Sequence, residues 1–559
     1  MIRDDIAALI ARAIADAQEH GELPAFDIPP LEVTRPRDPT HGDYTSSVAM
    51  QSARSARMAP LAIARAIANR IEKTDFLASI EVAPPGFINM RLDDGWIAHQ
   101  VERIEEQGSR YGSIQLGGGR SSQVEYISAN PTGPLHIGSA RNAVLGDALA
   151  NVLEAAGYDV QREYYVNDAG TQLQVFAETL CRRYFQACGV EASLEDNHYR
   201  GTYMVDMAEA IRAKYGDRFL KMPEKEAIEA LGAIGLEMVM NSVKASVERL
   251  GIHFDRWFSE RSLYEPGGTF DVVIQDLRKR GLTEVRDGAE WLRTSTLGSD
   301  RDEVLIRADG RPGYYASDTA YHYDKFVLRG FDRVVDVWAV DHQNQVRRMP
   351  YLMKAFGLDP ERLMILLYDL VRFYRDGQEV KLSKRSGDII TLDEVLDEVG
   401  VDAVRFLLLT RSNTSVMDFD LTMALAQNDE NPVYYVQYAH ARMASILRTA
   451  AERGLPPECW ATGDLDLIRH LSELALLRKA LELPEVIEKS AQQLAPHHLA
   501  FYATELATAF HAFYRDCRVI SSDPADYELT CARLRLVAAT KTVFVRVLGL
   551  LGVTAPESM

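Results

Sequence analysis

The sequence predicts a multidomain α/β protein, with a central parallel sheet, an α+β block before it and an all-helical bundle after it. Three observations carry that expectation. At 559 residues the chain exceeds what a single compact core supports. Through its middle, short apolar strand-like runs alternate with stretches of helical periodicity, the pattern of a parallel sheet wrapped by helices. After Asn431 the periodicity is helical to the end of the chain.

Residues 1–19 read as an amphipathic helix with Ile2, Ile6, Ile10 and Ile14 on one side. They open a block, residues 1–112, in which helix patterns mix with strand-like runs such as 86–92. A Gly-rich hinge at 116–120 follows. From Val124 to Ser128 the pattern is a strand, then a Pro/Gly loop, then a helix beginning near Gly138. This is the opening β-loop-α of a nucleotide-binding sheet, and it begins a domain expected over 120–390. Helical periodicity over about 171–250 reads as an insertion, and strand runs resume at 333–340 and 363–367. A connecting helical segment is expected over 391–430, and the bundle over 431–559.

Composition narrows the class. A hydrophobic fraction of 47% and a charged fraction of 26% are those of a soluble globular protein. No apolar run is long enough to span a bilayer and no signal-peptide pattern follows Met1, so no membrane partner and a cytoplasmic location are expected. The five cysteines form no C-x-x-C pair, which predicts a reduced chain with neither disulfides nor a metal site. The net charge of −19 is uneven, because residues 431–559 are nearly balanced. An acidic protein still binds RNA through local basic and aromatic surfaces.

Two motifs carry chemistry. In 130–139, Pro and Gly hold a tight turn, Gly138 lets backbone approach a nucleotide where a Cβ would collide, and the following helix aims its first N–H groups at phosphate or ribose oxygens. His136 is placed there to donate to an α-phosphate. The second motif, 381–387, is a compact cationic loop whose lysines, Lys381 and Lys384, neutralise β- and γ-phosphates as pyrophosphate leaves. Alone, a loop histidine is ordinarily structural and a Lys/Arg cluster ordinarily a solvated surface. The two together, in this order and around a long insertion, are far more specific.

The pair resembles the His-Ile-Gly-His and Lys-Met-Ser-Lys-Ser signatures of class I aminoacyl-tRNA synthetases. The text at 128–133, 139–147, 163–170 and 431–442 is similar to bacterial arginyl-tRNA synthetases, so the resemblance covers essentially the whole chain. Ser139 replaces the second histidine of the first signature; in the second, Leu382 replaces methionine and Arg385 the final serine. The resemblance implies a Rossmann-type class I catalytic domain, an N-terminal domain contacting the tRNA D-arm and a C-terminal anticodon-binding bundle. It also implies ATP as substrate, with Pro134, His136, Gly138, Ser139, Lys381, Ser383 and Lys384 at the nucleotide and Mg²⁺ accompanying it. The arginine carboxylate then attacks the α-phosphate, and the tRNA terminal ribose takes the amino acid from the adenylate.

Arginine has a physical signature. A guanidinium offers five N–H donors and no acceptor, so its pocket must supply carboxylates and carbonyls. The resemblance puts Tyr314 and Asp318 at the guanidinium, and Asn130 and Glu125 at the α-amino end or in orienting the loop. Asp341 and His342, after the strand ending at Val340, are further candidates. A site that hydrogen-bonds a polar side chain discriminates without editing, and the insertion carries no hydrolytic constellation.

For the tRNA, Phe87 and Asn89 suit stacking on and bonding to an exposed loop base, with core packing as the competing reading of Phe87. Tyr438, Tyr514 and Arg518 are expected anticodon contacts, although aromatics at helical spacing are more often core. A monomer is expected, and the resemblance implies activation that requires bound tRNA. The competing functions are a non-catalytic RNA-binding paralogue and a class I synthetase for another amino acid such as cysteine. The latter family uses a Cys/His zinc cluster that the sequence lacks.

Overall fold

The computed structural model describes residues 1–380 and 390–559. The first helix, Ile2–Glu19, buries Ile2, Ile6, Ile10 and Ile14 together, as four-residue spacing requires of one helical face. It belongs to a unit built around a four-stranded antiparallel sheet in the order Val33–Thr34, Tyr44–Ser46, Phe87–Leu92, Leu77–Ala83.

The central sheet has five strands, all parallel: β1 (Ser121–Glu125), β2 (Asp159–Val166), β3 (Arg256–Ser259), β4 (Arg333–Ala339) and β5 (Leu363–Tyr368). Their order is β5-β4-β1-β2-β3. The winding therefore reverses between β1 and β4, whose Glu125 and Asp336 lie side by side in register. Loops leaving the carboxyl ends of those two strands diverge and open a crevice, the usual ligand site of such a sheet. The helix Gly138–Ala155 after β1 is apolar on nearly every side and almost wholly buried. The expected insertion forms three helices, Thr171–Ala187, Thr202–Tyr215 and Glu224–Arg249.

Two expectations need correction. The strand expected over 124–128 stops at Glu125, because Ile127 (φ 65°) and Ser128 (φ 42°) turn left-handed. A β-branched residue rarely takes that conformation, so no propensity argument anticipates it. The segment 391–430 is not purely helical. It holds the helices Leu392–Val399 and Val401–Leu408, but also the strand Met417–Asp420, parallel to Val371–Arg375. Met417 and Phe419 point inward from that strand, and Phe419 packs on Phe373 with ring centroids 5.4 Å apart. Four residues are too few for a period-two pattern to be legible.

Two fully buried guanidiniums tie the helix Gly138–Ala155 to its surroundings. Arg141 donates to the carbonyls of Asp369 (2.7 Å), Ser412 (2.8 Å) and Ser415 (2.9 Å). Arg405 pairs with Asp147 on that helix and donates to Leu250 O (2.8 Å) and Leu551 O (3.1 Å). Behind them the helices Pro432–Glu452, Leu471–Ala480, Leu483–Gln493, His497–Asp516 and Tyr527–Leu551 make the C-terminal bundle.

Candidate active site

The loop after β1 is fastened residue by residue. The strained Ile127 N–H donates to Asn142 Oδ1 (2.5 Å), and Asn142 Nδ2 donates to Val337 O on β4 (2.9 Å). One side chain thus spans the switch point and pins the left-handed turn. Ser128 Oγ donates to Glu125 Oε1 (2.9 Å) and accepts from Tyr165 N (3.1 Å). Tyr164 OH both donates to and accepts from the Ala129 backbone at 3.1 Å. Asn130 is exposed, its amide clasped between Gln172 and Asn167, each at 2.8 Å.

Further along, Leu135 O accepts from Leu392 N (2.8 Å), and His136 pairs with Thr391. The chain just beyond 381–389 therefore lies against the first motif. A Cβ on Gly138 would come within 2.7 Å of the His136 ring, so only glycine lets the imidazole lie over the helix start. Ser139 is buried there and Pro134 half-exposed. Lys381, Ser383 and Lys384, with Leu382 and Arg385, lie outside the described residues.

Beneath the loop runs a buried charge network that sequence reading missed. Lys325, wholly buried, donates at 2.7 Å to both Glu125 Oε2 and Asp336 Oδ1, and His322 Nε2 meets Asp336 Oδ2 at 2.8 Å. Burial works against the Asp336 carboxylate, but Lys325 and His322 outweigh it and hold it down at about 2. Burial pushes the Glu125 carboxyl up despite Lys325. Glu125 has one oxygen on Ser128 of the loop and the other on Lys325. A second buried set joins Glu163 to Arg329 and to Tyr321 OH, the last at 2.5 Å. Lys325 sits in a π-helical turn, Asp324–Leu328, and that register slip carries no sequence mark.

Asp318 lies on the helix Ala316–Tyr323, half-exposed, and its carboxylate has no hydrogen-bond partner among the described residues. Burial raises its pKa, Asp336 raises it further, and His322, His342 and Lys325 oppose this. Glu260 is raised for the same first reason, and Asp168 and Asp318 face it; Ser317 donates to it at 2.7 Å. Beyond burial, Glu260 and Asp318 also push up the phenols of Tyr165 and Tyr264, while the Asp168 carboxylate accepts from Ser259 Oγ (2.6 Å) and Arg261 N (2.9 Å). Asp341 and His342 form the turn beyond β4, both exposed, with His342 Nδ1 2.8 Å from Gln345 Oε1. Tyr314 stands apart. It is 89% exposed with the Arg307 guanidinium stacked 4.7 Å from its ring centre, while neighbouring Tyr315 turns inward to Arg348 O. A second residue absent from the sequence reading is Tyr203, from the insertion, whose hydroxyl donates to Thr132 O at 2.8 Å.

The central region, residues 100–442, matches the family model described as "tRNA synthetases class I (R), catalytic domain". Residues 4–92 match the arginyl tRNA synthetase N-terminal domain, and 436–559 the DALR anticodon binding domain. This chain belongs to the arginyl-tRNA synthetases. The arginine–tRNA ligase of Dehalococcoides mccartyi strain CBDB1 is 46% identical over 100% of this chain and 99% of its own. That of Carboxydothermus hydrogenoformans is 45% identical with the same coverage. A solved arginyl-tRNA synthetase structure from Campylobacter jejuni is 30% identical, covers 84% of this chain and 100% of its own, and superposes with a TM-score of 0.75. The Thermus thermophilus synthetase, 24% identical over all of both chains with a TM-score of 0.76, shares the fold.

The remaining expected residues of this synthetase lie on the flanking domains. Phe87 is half-exposed, while Asn89 is buried and accepts from Thr45 Oγ1 at 2.7 Å. Asn89 is thus a sheet-internal residue in this state. On the bundle, Tyr438, Arg442, Arg448, Arg453, Tyr514 and Arg518 line a cleft of about 850 Å³. The Arg442 guanidinium lies 4.6 Å from the Tyr438 ring centre and 4.8 Å from that of Tyr514. Tyr514 and Arg518 are exposed, so helical spacing here did not mean core.

Proposed function

We infer that the protein is an arginine–tRNA ligase. It activates L-arginine with ATP, releasing pyrophosphate, and passes the amino acid to tRNA(Arg) with release of AMP. What carries the reading within the site is Asp318, a carboxylate disfavoured by burial that has no hydrogen-bond partner among the described residues, set near Glu260 and Asp336 beside the switch point of the sheet. A guanidinium is the group that such a carboxylate satisfies best.

The ATP lies across the first motif, with His136 donating to the α-phosphate and the start of the helix Gly138–Ala155 facing the nucleotide. Pro134 and Ser139 border it, and Lys381, Ser383 and Lys384 meet the β- and γ-phosphates. The arginine carboxylate attacks in line; Asn130 serves its α-amino end, Asp318 its side chain, and Asp341 and His342 close the pocket from β4. Tyr314 reaches the guanidinium only by leaving its exposed stack with Arg307. Magnesium would enter with the nucleotide and would offset phosphate charge there; among the described residues no group of three or more His, Cys, Asp or Glu is placed to hold a metal ion. Positioning and electrostatics supply the rate. Phe87 holds the D-arm, with Asn89 supporting its strand through Thr45, and the Tyr438–Tyr514–Arg518 cleft holds the anticodon loop, where stacking is worth ~1–3 kcal/mol per base. The protein works as a monomer in the cytoplasm, and no helix of the described residues is long and apolar enough to cross a membrane.

Charging of total tRNA with each of the twenty amino acids tests the assignment, and only arginine should be incorporated. Arginine-dependent ATP–pyrophosphate exchange should need cognate tRNA, because a second ligand that favours a sparsely populated competent state completes the site. Brisk exchange in RNA-free protein would defeat that dependence alone.

The Asp318 reading makes its own prediction. Asp318→Asn should raise the arginine KM by roughly 30-fold, from ~2 kcal/mol of lost pairing, with a much smaller loss for neutral citrulline. Only the ionised carboxylate holds a cation, and its pKa is raised. The wild-type arginine KM should therefore worsen as pH falls through a value above the ordinary Asp range, a limb absent from Asp318→Asn. Because ionised Asp318 is disfavoured by burial, the same substitution should raise the melting temperature at neutral pH. Equal losses for arginine and citrulline would remove Asp318 from the side-chain pocket.

A further inference from the structure

Among the described residues, every ion pair that leaves residues 1–110 ends on the C-terminal bundle, and none on the catalytic domain. The two domains that flank the active site in sequence are fastened to each other. The densest of these contacts centres on Glu485 of the helix Leu483–Gln493. Arg35 Nε donates to Glu485 Oε2 (3.0 Å) and Arg35 Nη2 to Oε1 (3.1 Å), a two-pronged pair. Tyr44, wholly buried, donates its hydroxyl to the same Oε1 at 2.5 Å and accepts from Arg35 Nη2 at 2.9 Å. The guanidinium also lies over the Tyr44 ring, 4.7 Å from its centre. Around this core, Arg3 meets Glu488 (2.5 Å), and Arg478 bridges Asp43 (2.8 Å) and Asp94 (2.7 Å). Arg535 holds Glu105 (2.8 Å).

This is more organised than the isolated surface pair that contributes little. The guanidinium–carboxylate fork is bidentate, part-buried and closed by a phenol that bonds to both partners. Its polar character has a consequence. Two modules that hold one ligand at separate points gain from each other only while their spacing suits both.

We propose that Arg35, Tyr44 and Glu485 form a joint that locks the N-terminal unit to the bundle at the spacing a folded tRNA presents, making Arg35 and Glu485 positioning residues for tRNA. The proposal rests on the reading that both flanking domains hold the RNA. With the joint closed, engagement of the anticodon cleft presents the N-terminal surface to the D-arm at high effective concentration. With it open, the second contact must be won separately, and tRNA binding weakens while arginine and ATP binding do not.

The test is steady-state aminoacylation of full-length tRNA(Arg) by the intact enzyme carrying Arg35→Gln, Glu485→Gln or both. Each single variant should raise the tRNA KM about tenfold. The double variant should do no worse than either, since one joint is lost in all three. The KM values for arginine and ATP, measured at saturating tRNA, should stay within twofold. Glu485→Gln keeps the shape of the bundle helix and leaves the interior of the N-terminal unit untouched, so it decides the matter if Arg35→Gln loosens that unit. Unchanged tRNA KM in a folded Glu485→Gln overturns the joint, as does an additive, roughly hundredfold loss in the double variant. An equal rise in arginine KM overturns it too. Phe87→Ala and Tyr514→Ala complete the experiment. If neither alters the tRNA KM, the reading that these domains hold RNA fails and the joint falls with it. Losses there, with silent joint variants, remove the joint alone.

Discussion

His136→Ala should slow arginyl-adenylate formation by roughly 10²–10³, the ~2.7–4 kcal/mol typical of losing one preorganised donor to a developing oxyanion. The imidazole lies over Gly138, where any side chain would collide with it, and its backbone pairs with Thr391. A ring already placed over the helix start needs little reorganisation as charge grows on the α-phosphate. Its loss should appear in single-turnover rates at saturating arginine and ATP, with the arginine dissociation constant little changed. Gly138→Ala should imitate the defect, since the new Cβ drives the ring from its place. A near-wild-type single-turnover rate in His136→Ala would sink the role proposed for this residue and leave the fold and family untouched.

Lys325→Met should be the most damaging substitution for stability, at ~3–5 kcal/mol, because removing one partner strands buried charge. Lys325 is the common counter-ion of Glu125 and Asp336, which lie side by side on β1 and β4. Urea unfolding followed by tryptophan fluorescence gives the loss directly. Adding Glu125→Gln and Asp336→Asn to Lys325→Met should recover part of it, as neutral groups no longer need a cation. A single variant as stable as wild type would show that water or another cation reaches the pair. In the wild type Asp336, whose pKa is depressed to about 2, and Glu125, whose pKa burial raises, contribute with opposite signs; that of Asp336 is stabilising. Its contribution is present above the ordinary Asp value and fades as pH falls toward 2.

How much was legible differs between parts of the molecule for physical reasons. The helix Ile2–Glu19 and the helical bundle were readable because burial on one face imposes a period on the sequence, and the inner strand β4 because burial on both faces makes a continuous apolar run. Gly138 was marked in the sequence for close approach by a nucleotide, and the close neighbour the structure shows there is the His136 ring. The left-handed Ile127–Ser128 turn was not, because only Asn142, fifteen residues further on, makes it tolerable. The strand Met417–Asp420 was not, because its pairing partner lies at 371–375.

The sequence by itself determined the family and the three-part architecture. Those depend on local periodicity and on a run of matching residues. Only the tertiary structure decided which side chains meet. Lys325 between Glu125 and Asp336, Tyr203 under Thr132, Glu260 facing Asp318, and Arg35 forked onto Glu485 all join residues distant along the chain. A charged side chain looks the same in sequence whether water or a buried counter-ion satisfies it, and burial alone turns one into the other.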